Sequence, residues 1–152
     1  MDSTKFTDRA LEIITNAQKL CQQNQNVQLV PLHILAAMIP DNESQPIYLK
    51  VIIEGSRYEW EPVKRLINSK LLKLPSTSGS NMEPGMSSSA ASILTNADKI
   101  KQIQKDSYIG QDHILSALLD DSSIQALFKE LNIKVQSLKD QILNLRGNQR
   151  ID

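Results

Sequence analysis

A single cysteine, Cys21, leaves this chain without any internal disulfide to staple a small fold. A reducing compartment is therefore expected, and Cys21 reads as a small apolar side chain on a helix rather than a reactive thiol. Aromatic residues are only 4% of the sequence, and its apolar content comes mainly from Leu, Ile and Ala, which favours helices over a β-sandwich core. Charge of one sign is also missing, because 17 Lys and Arg balance 17 Asp and Glu. Nothing here drives non-specific binding to nucleic acid or to a membrane surface, so neither is expected as a partner. No apolar run approaches the roughly 20 residues that span a bilayer. Lys5 and Asp8 near the start are not followed by the hydrophobic stretch of a signal peptide. Glycines stand only at 55, 79, 85, 110 and 147, and none opens the G-x-x-x-x-G-K-[ST] pattern that wraps backbone N–H groups around phosphates. A G-x-S-x-G nucleophile elbow is absent as well. The expectation is a chain with no ATP site, no metal, no cofactor and no catalysis of its own.

What the sequence does contain is a repeat. Residues 10–20 and 90–100 match at an offset of 80, sharing Ala10/Ala90, Ile13/Ile93, Asn16/Asn96, Ala17/Ala97 and Lys19/Lys99. The same offset brings His33, Ile34 and Leu35 onto His113, Ile114 and Leu115. Farther on, an offset of 75 pairs Leu49, Trp60 and Ile67 with Ile124, Val135 and Ile142, so the first copy carries about five extra residues in the 40–46 loop. Each copy reads as four helices. Thr7 and Ser87 stand at plausible N-caps, with Phe6 and Met86 placed before them for a hydrophobic staple. Ala10, Ile13, Ile14, Ala17 and Leu20 form one apolar stripe at helical spacing. Pro31 opens the second helix, where its missing N–H costs little. The third helices are expected at 46–54 and 122–131, with Gly55 at a C′ position of positive φ. The fourth are expected at about 60–70 and 135–146. Residues 75–86, rich in Ser, Gly and Pro, read as a mobile surface linker. Two four-helix units that bury little alone would share one core about a pseudo-two-fold axis, giving a single all-α domain: repeat one at 4–74, linker 75–86, repeat two at 87–146.

The only two histidines, His33 and His113, fall at equivalent points in the first turn of a helix. A metal pair is one reading. A histidine packed or hydrogen-bonded near a helix start is the other, and is favoured because no Cys or acidic cluster is common to both settings. The connector 105–112 holds Tyr108 and Ile109 between Asp106 and Asp112. In one reading Tyr108 and Ile109 plug the core while the acids are solvated and Asp112 supports the next helix N-terminus. In the other the acids rim an apolar groove that accepts an extended peptide.

Phe6-Thr7-Asp8-Arg9-Ala10, Asn16-Ala17-Gln18-Lys19-Leu20 and Pro31-Leu32-His33-Ile34-Leu35-Ala36-Ala37 resemble the double-repeat amino-terminal domain of Clp-type AAA+ unfoldases. Residues 104–115 resemble the second repeat of the ClpB branch, and Phe128-Lys129-Glu130 is most similar to its fungal cytosolic disaggregases. Residues 147–152 look like the start of the passage toward the first ATPase ring. The resemblance implies a recognition module of a homohexameric ATP-driven disaggregase, itself monomeric when isolated. It further implies a cytoplasmic setting, with the nucleus as a second compartment, and ATP and magnesium in the parent's ATPase modules only. The implied partners are unfolded, aggregated or amyloid client chains and a chaperone system that delivers them. Polar positions that matter in the bacterial branch correspond to Thr7, Asp106 and Asp112, the last an Asp where the family has Glu. The family's groove-lining apolar positions correspond to Leu94 and Ile100, and His113 falls where that branch can carry an apolar residue. Substrate contacts are thus expected at Thr7, Leu94, Ile100, Asp106, Tyr108, Ile109, Asp112 and His113, with Thr7 a cap first and a contact second. Two classes stay open: a peptide-binding domain for unfolded clients, and a docking or regulatory module for a folded adaptor or co-chaperone, suggested by the charges of Lys99, Lys101 and Lys105 near Asp98 and Asp106.

Overall fold

Thr7 follows a 3-10 turn at Ser3–Lys5 and caps the first helix: its hydroxyl accepts from the Ala10 N–H at 3.1 Å, and Ser87 does the same for Ala90 at 3.1 Å. Each hydroxyl satisfies a backbone donor that the helix itself leaves free. The computed structural model describes residues 2–41, 46–77 and 84–147. Those residues form eight α-helices: α1 (Asp8–Gln23), α2 (Pro31–Ala37), α3 (Tyr48–Gly55), α4 (Trp60–Leu72), α5 (Ser88–Ile103), α6 (Gln111–Leu118), α7 (Ser122–Glu130) and α8 (Val135–Arg146). The fold is the expected all-α double repeat. α1 and α5 begin at Asp8 and Ser88, α2 and α6 at Pro31 and Gln111, an offset of 80 in both cases. α4 and α8 begin at Trp60 and Val135, an offset of 75, so the extra residues of the first copy lie between α2 and α3.

The pseudo-two-fold relation shows in what packs on what. α1 meets α6 as α5 meets α2; α3 meets α8 as α7 meets α4; α2 and α6 meet each other across the centre. The apolar stripes of both copies therefore drain into one core, which includes Ile13, Ile34, Leu49, Ile93, Ile114 and Phe128, all essentially without solvent contact. Neither four-helix unit could bury that surface alone. The connectors obey the same symmetry. Phe6 bridges Ile109 in parallel, and the two-residue strands β1 (Gln28–Leu29) and β2 (Gly85–Met86) pair in parallel, Leu29 opposite Met86. In each case the lead-in of one copy pairs with the inter-helix connector of the other, through Thr7 N–H to Ile109 C=O and Ser87 N–H to Leu29 C=O, both at 2.9 Å.

Three local expectations are corrected. Gly55 is the last residue of α3 and has no positive φ; the left-handed residue is Arg57, with φ 69°. What Gly55 provides is room, since a Cβ there would stand 2.4 Å from the Gln141 side chain of α8. The third helices start at Tyr48 and Ser122, and the first starts two residues later than expected because Ile47 keeps an extended backbone as N-cap. The described ends of the 75–86 segment are tied down: Ser76 bridges Asn26, Thr77 N–H donates to Gln25 C=O at 2.8 Å, and Gly85 and Met86 form β2. Residues 78–83 of that segment, residues 42–45 of the long loop and the passage 148–152 lie outside the described residues.

Candidate functional site

The duplication makes each of the two histidines a control for the other. α1 and α5 both end with a left-handed residue, Gln25 (φ 53°) and Lys105 (φ 60°). This reverses the chain and lets the next N–H, of Asn26 or Asp106, return to the carbonyl of Cys21 or Lys101 at 3.0 Å. The side chains of Asn26 and Asp106 are thereby aimed at the start of the following helix. There, His33 and His113 accept at Nδ1 from the N–H groups of Val30 and Gly110, at 2.9 and 2.8 Å. That bond fixes the remaining ring proton on Nε2. Nε2 of His33 donates to Asn26 Oδ1 at 2.8 Å, and Nε2 of His113 donates to Asp106 Oδ2 at 2.7 Å. Both rings are fully buried. They are structural parts that lock connector to helix.

The copies then diverge in charge. Asp106 is held from the far side by Arg146, the last residue of α8, whose two terminal nitrogens donate to its two oxygens at 2.5 and 2.6 Å. Asp112, in the first turn of α6, lies 3.7 Å from both Arg146 Nη1 and His113 Nε2. The bond to Asp106 pushes the already high pKa of the Arg146 guanidinium further up. Burial pushes the phenol of Tyr48 well above its ordinary range, and the negative charge of Asp112 adds to the effect. In the first copy the positions equivalent to Asp106, Asp112 and Arg146 are Asn26, Leu32 and Leu71, all neutral. His33 is neutral too, its pKa pushed down by burial.

Asp106, Asp112 and His113 bring one potential ligand atom each to within 4.8 Å of one another. The donor set does not suit a cation. Arg146 occupies both oxygens of Asp106, and the His113 nitrogen facing the cluster carries the ring proton. With Arg146 the trio forms a network of ion pairs and hydrogen bonds.

Elsewhere the first copy carries a cleft of about 430 Å³, lined by Leu20 and Gln23 of α1, Ala37 and Ile39 at the end of α2, and Lys64 and Asn68 of α4. The repeat offsets place Ile100, Ile103, Ala117, Leu119, Lys139 and Leu143 at the same six positions of the second copy. Two polar residues have become apolar and stay in water: Ile103 is 80% exposed and Leu143 is 55% exposed.

Each expected contact can now be located. Asp106, Asp112 and His113 converge, but the expectation that Asp106 rims an open groove does not hold, since its carboxylate is buried under Arg146. The opposite expectation, that both acids are solvated, fails for the same reason. Ile109 is a core residue backbone-paired to the lead-in, whereas Tyr108 beside it is 43% exposed rather than plugging the core. Thr7 spends its hydroxyl on the α1 cap. Leu94 and Ile100 are half-buried on α5 but stand about 120° apart around its axis, on opposite flanks of the buried stripe. Ile103 falls on the Ile100 side.

A family model described as the Clp repeat N-terminal domain matches residues 5–131 of this double-repeat fold. The chain belongs to that family. Heat shock protein 104 of Schizosaccharomyces pombe is 31% identical to this Clp repeat domain over 148 residues, which is 97% of this chain and 16% of that protein. Chaperone protein ClpB of Bacillus cereus is 28% identical over 155 residues, 99% of this chain and 18% of that protein. The crystal structure of the Hsp104 N-terminal domain from Candida albicans superposes with a TM-score of 0.91 at 49% identity, covering 97% of this chain and 95% of that one. The chain thus spans about a sixth of the curated chaperones it matches. Sequence reasoning missed Ile103, Leu143 and Arg146 in this Clp repeat domain. The offsets that paired the two copies would have found all three, read for differences instead of matches.

Proposed function

We propose that the chain is the client-recognition domain of an ATP-driven protein disaggregase, taking extended apolar segments of unfolded, aggregated or amyloid polypeptides onto the exposed edge of its second copy. The observation that carries this reading is the replacement of Gln23 and Asn68 by exposed Ile103 and Leu143 beside half-buried Ile100. A surface position that stays apolar in one copy of a duplicated fold, and is polar in the other, points to a partner. Tyr108 adds an aromatic with an apolar body and a polar tip on the connector nearby in sequence. Asp106, Asp112 and His113 serve this surface by holding the connector, not by touching the client. The similarity to chaperones supports the wider setting: a homohexameric parent whose ATPase modules bind ATP and magnesium, a partner chaperone system that delivers clients, and a cytoplasmic location. No described helix is long and apolar enough to cross a membrane.

The alternative, a dock for a folded adaptor or co-chaperone, draws less support. Of the charges that suggested it, Asp106 is interior, and Lys101 leans on Asp98 at 3.7 Å.

Affinity should be weak, micromolar or looser, or roughly 8 kcal/mol at most, since a client must be released as well as held. The test is the double substitution Ile103→Gln and Leu143→Asn, which gives the second copy the first copy's chemistry at sites that carry little folding energy. Burial of one aliphatic side chain is worth about 1.5–3 kcal/mol. The variant should therefore keep its thermal midpoint while binding an unfolded client at least about tenfold more weakly by fluorescence anisotropy. Unchanged client affinity would rule this edge out.

A further inference from the structure

The ion pair between Arg146 and Asp106 joins two places that the fold has no need to join with charge. Asp106 sits in the connector between α5 and α6, immediately before the exposed Tyr108 and the Ile109 that pairs with the lead-in. Arg146 is the last residue of α8, followed by Gly147 at φ 60°, where the chain turns out of the helix. The first copy shows what the same junction requires structurally. There Asn26 holds the chain after α4 by donating from Nδ2 to Pro75 C=O at 3.2 Å, the backbone adds Thr77 N–H to Gln25 C=O, and position 71 is a leucine. The first copy therefore closes its exit through main-chain groups beyond α4, with no charge and no side chain of the helix. A buried ion pair is a poor way to gain stability over such an arrangement, because desolvation of both charges offsets their attraction. What the charged version adds is a contact that rests on one side chain and so opens as a unit.

We propose that Arg146 is a positioning residue that latches the end of α8 onto the Asp106–Ile109 connector, so that a polypeptide bound on the Tyr108 side and the order of the last turn of α8 are set together. The latch rests on the reading of the second copy as the client surface only for what triggers it; its geometry stands independently. With the guanidinium fork engaged, the last turn of α8 is held against the connector between α5 and α6. A client that shifts the connector by a fraction of an ångström spoils a bidentate bond that needs both Asp106 oxygens. The last turn, where the Gly147 N–H donates to Leu143 C=O at 2.9 Å, then frays.

The test compares the whole chain with the double substitution Asp106→Asn and Arg146→Leu, which places the first copy's residues at these two positions, and with Arg146→Lys, which keeps the charge but removes the planar fork. Backbone amide exchange at residues 144–147 should accelerate at least about tenfold in the double variant and by less in Arg146→Lys, while α1–α4 keep their protection. An apolar client peptide should perturb NMR signals of both the connector and residues 144–147 in the parent chain. In the double variant it should perturb the connector alone. Unchanged exchange at 144–147 overturns the latch, as does a peptide response there that survives the double substitution. If no peptide perturbs either chain, the client reading fails, and the exchange comparison still decides the latch. Should the double variant unfold, the Arg146→Lys comparison decides it.

Discussion

His33 and His113 occupy one position in a duplicated design yet face different partners, and the difference is a single atom type in each neighbour. His33 meets the amide oxygen of Asn26, and His113 meets the carboxylate of Asp106. An imidazole whose Nε2 partner is an amide oxygen in a sealed core resists taking a second proton. Burial holds the pKa of His33 below its ordinary 6.5. In the unfolded chain that histidine takes up a proton on acidification, and in the folded chain it resists, so acid favours unfolding. Stability should thus be complete above about pH 6.5 and decline as pH falls through the lowered folded value. Denaturant midpoints measured between pH 7.5 and 5 should drop on the acid side, and His33→Gln should flatten part of that drop. An identical slope in both proteins would show that His33 does not carry it. The histidines were legible in the sequence as structural, because equivalence in both copies pointed that way. Their partners were not: Asn26 and Asp106 stand seven residues upstream, and only the left-handed turn at Gln25 and Lys105 folds them back onto the rings.

At the scale of elements, caps and periodicity carried far. Thr7, Ser87 and Pro31 mark helix starts through local chemistry that a sequence displays, and the apolar stripe of α1 is buried at Ala10, Ile13, Ile14 and Ala17. Helix ends were harder. Four left-handed residues close α1, α3, α5 and α7: Gln25, Arg57, Lys105 and Asn132, equivalent in pairs and none of them glycine. Gly55 drew attention two residues too early because glycine is the usual sign of such a turn. Here the glycine lies against the Gln141 side chain, and the turn is imposed two residues later on a residue that resists it. Left-handed backbone costs a non-glycine residue about 1–2 kcal/mol. Arg57 is exposed, so Arg57→Gly should raise stability by about 0.5–1 kcal/mol in a denaturant titration, part of the gain being offset by glycine's greater freedom when unfolded. A loss of stability would mean that the Arg57 side chain contributes more than its backbone costs.

For the whole molecule, the duplication is both the architecture and the guide to function. Elements that obey the pseudo-symmetry build the core: the caps, the exchanged lead-ins, the histidine locks. Positions that break it include Asn26, Leu32 and Leu71, which become Asp106, Asp112 and Arg146, and Gln23 and Asn68, which become Ile103 and Leu143; the first copy exposes Val27 and Leu72 in turn, opposite Ser107 and Gly147. The symmetric part was legible because matching residues announce themselves at a fixed offset. The asymmetric part was not, because Asp106 and Arg146 are far apart in sequence and meet only when α8 packs beside α6. The central claim is that the second copy, and not the first, receives an apolar client. Titrating the isotopically labelled chain with an unfolded client segment and mapping backbone shifts tests it directly. The account predicts the largest changes around Ile100, Ile103, Tyr108 and Leu143, with the cleft at Leu20, Gln23 and Asn68 silent. Changes centred on that first-copy cleft, or none at all, would contradict it.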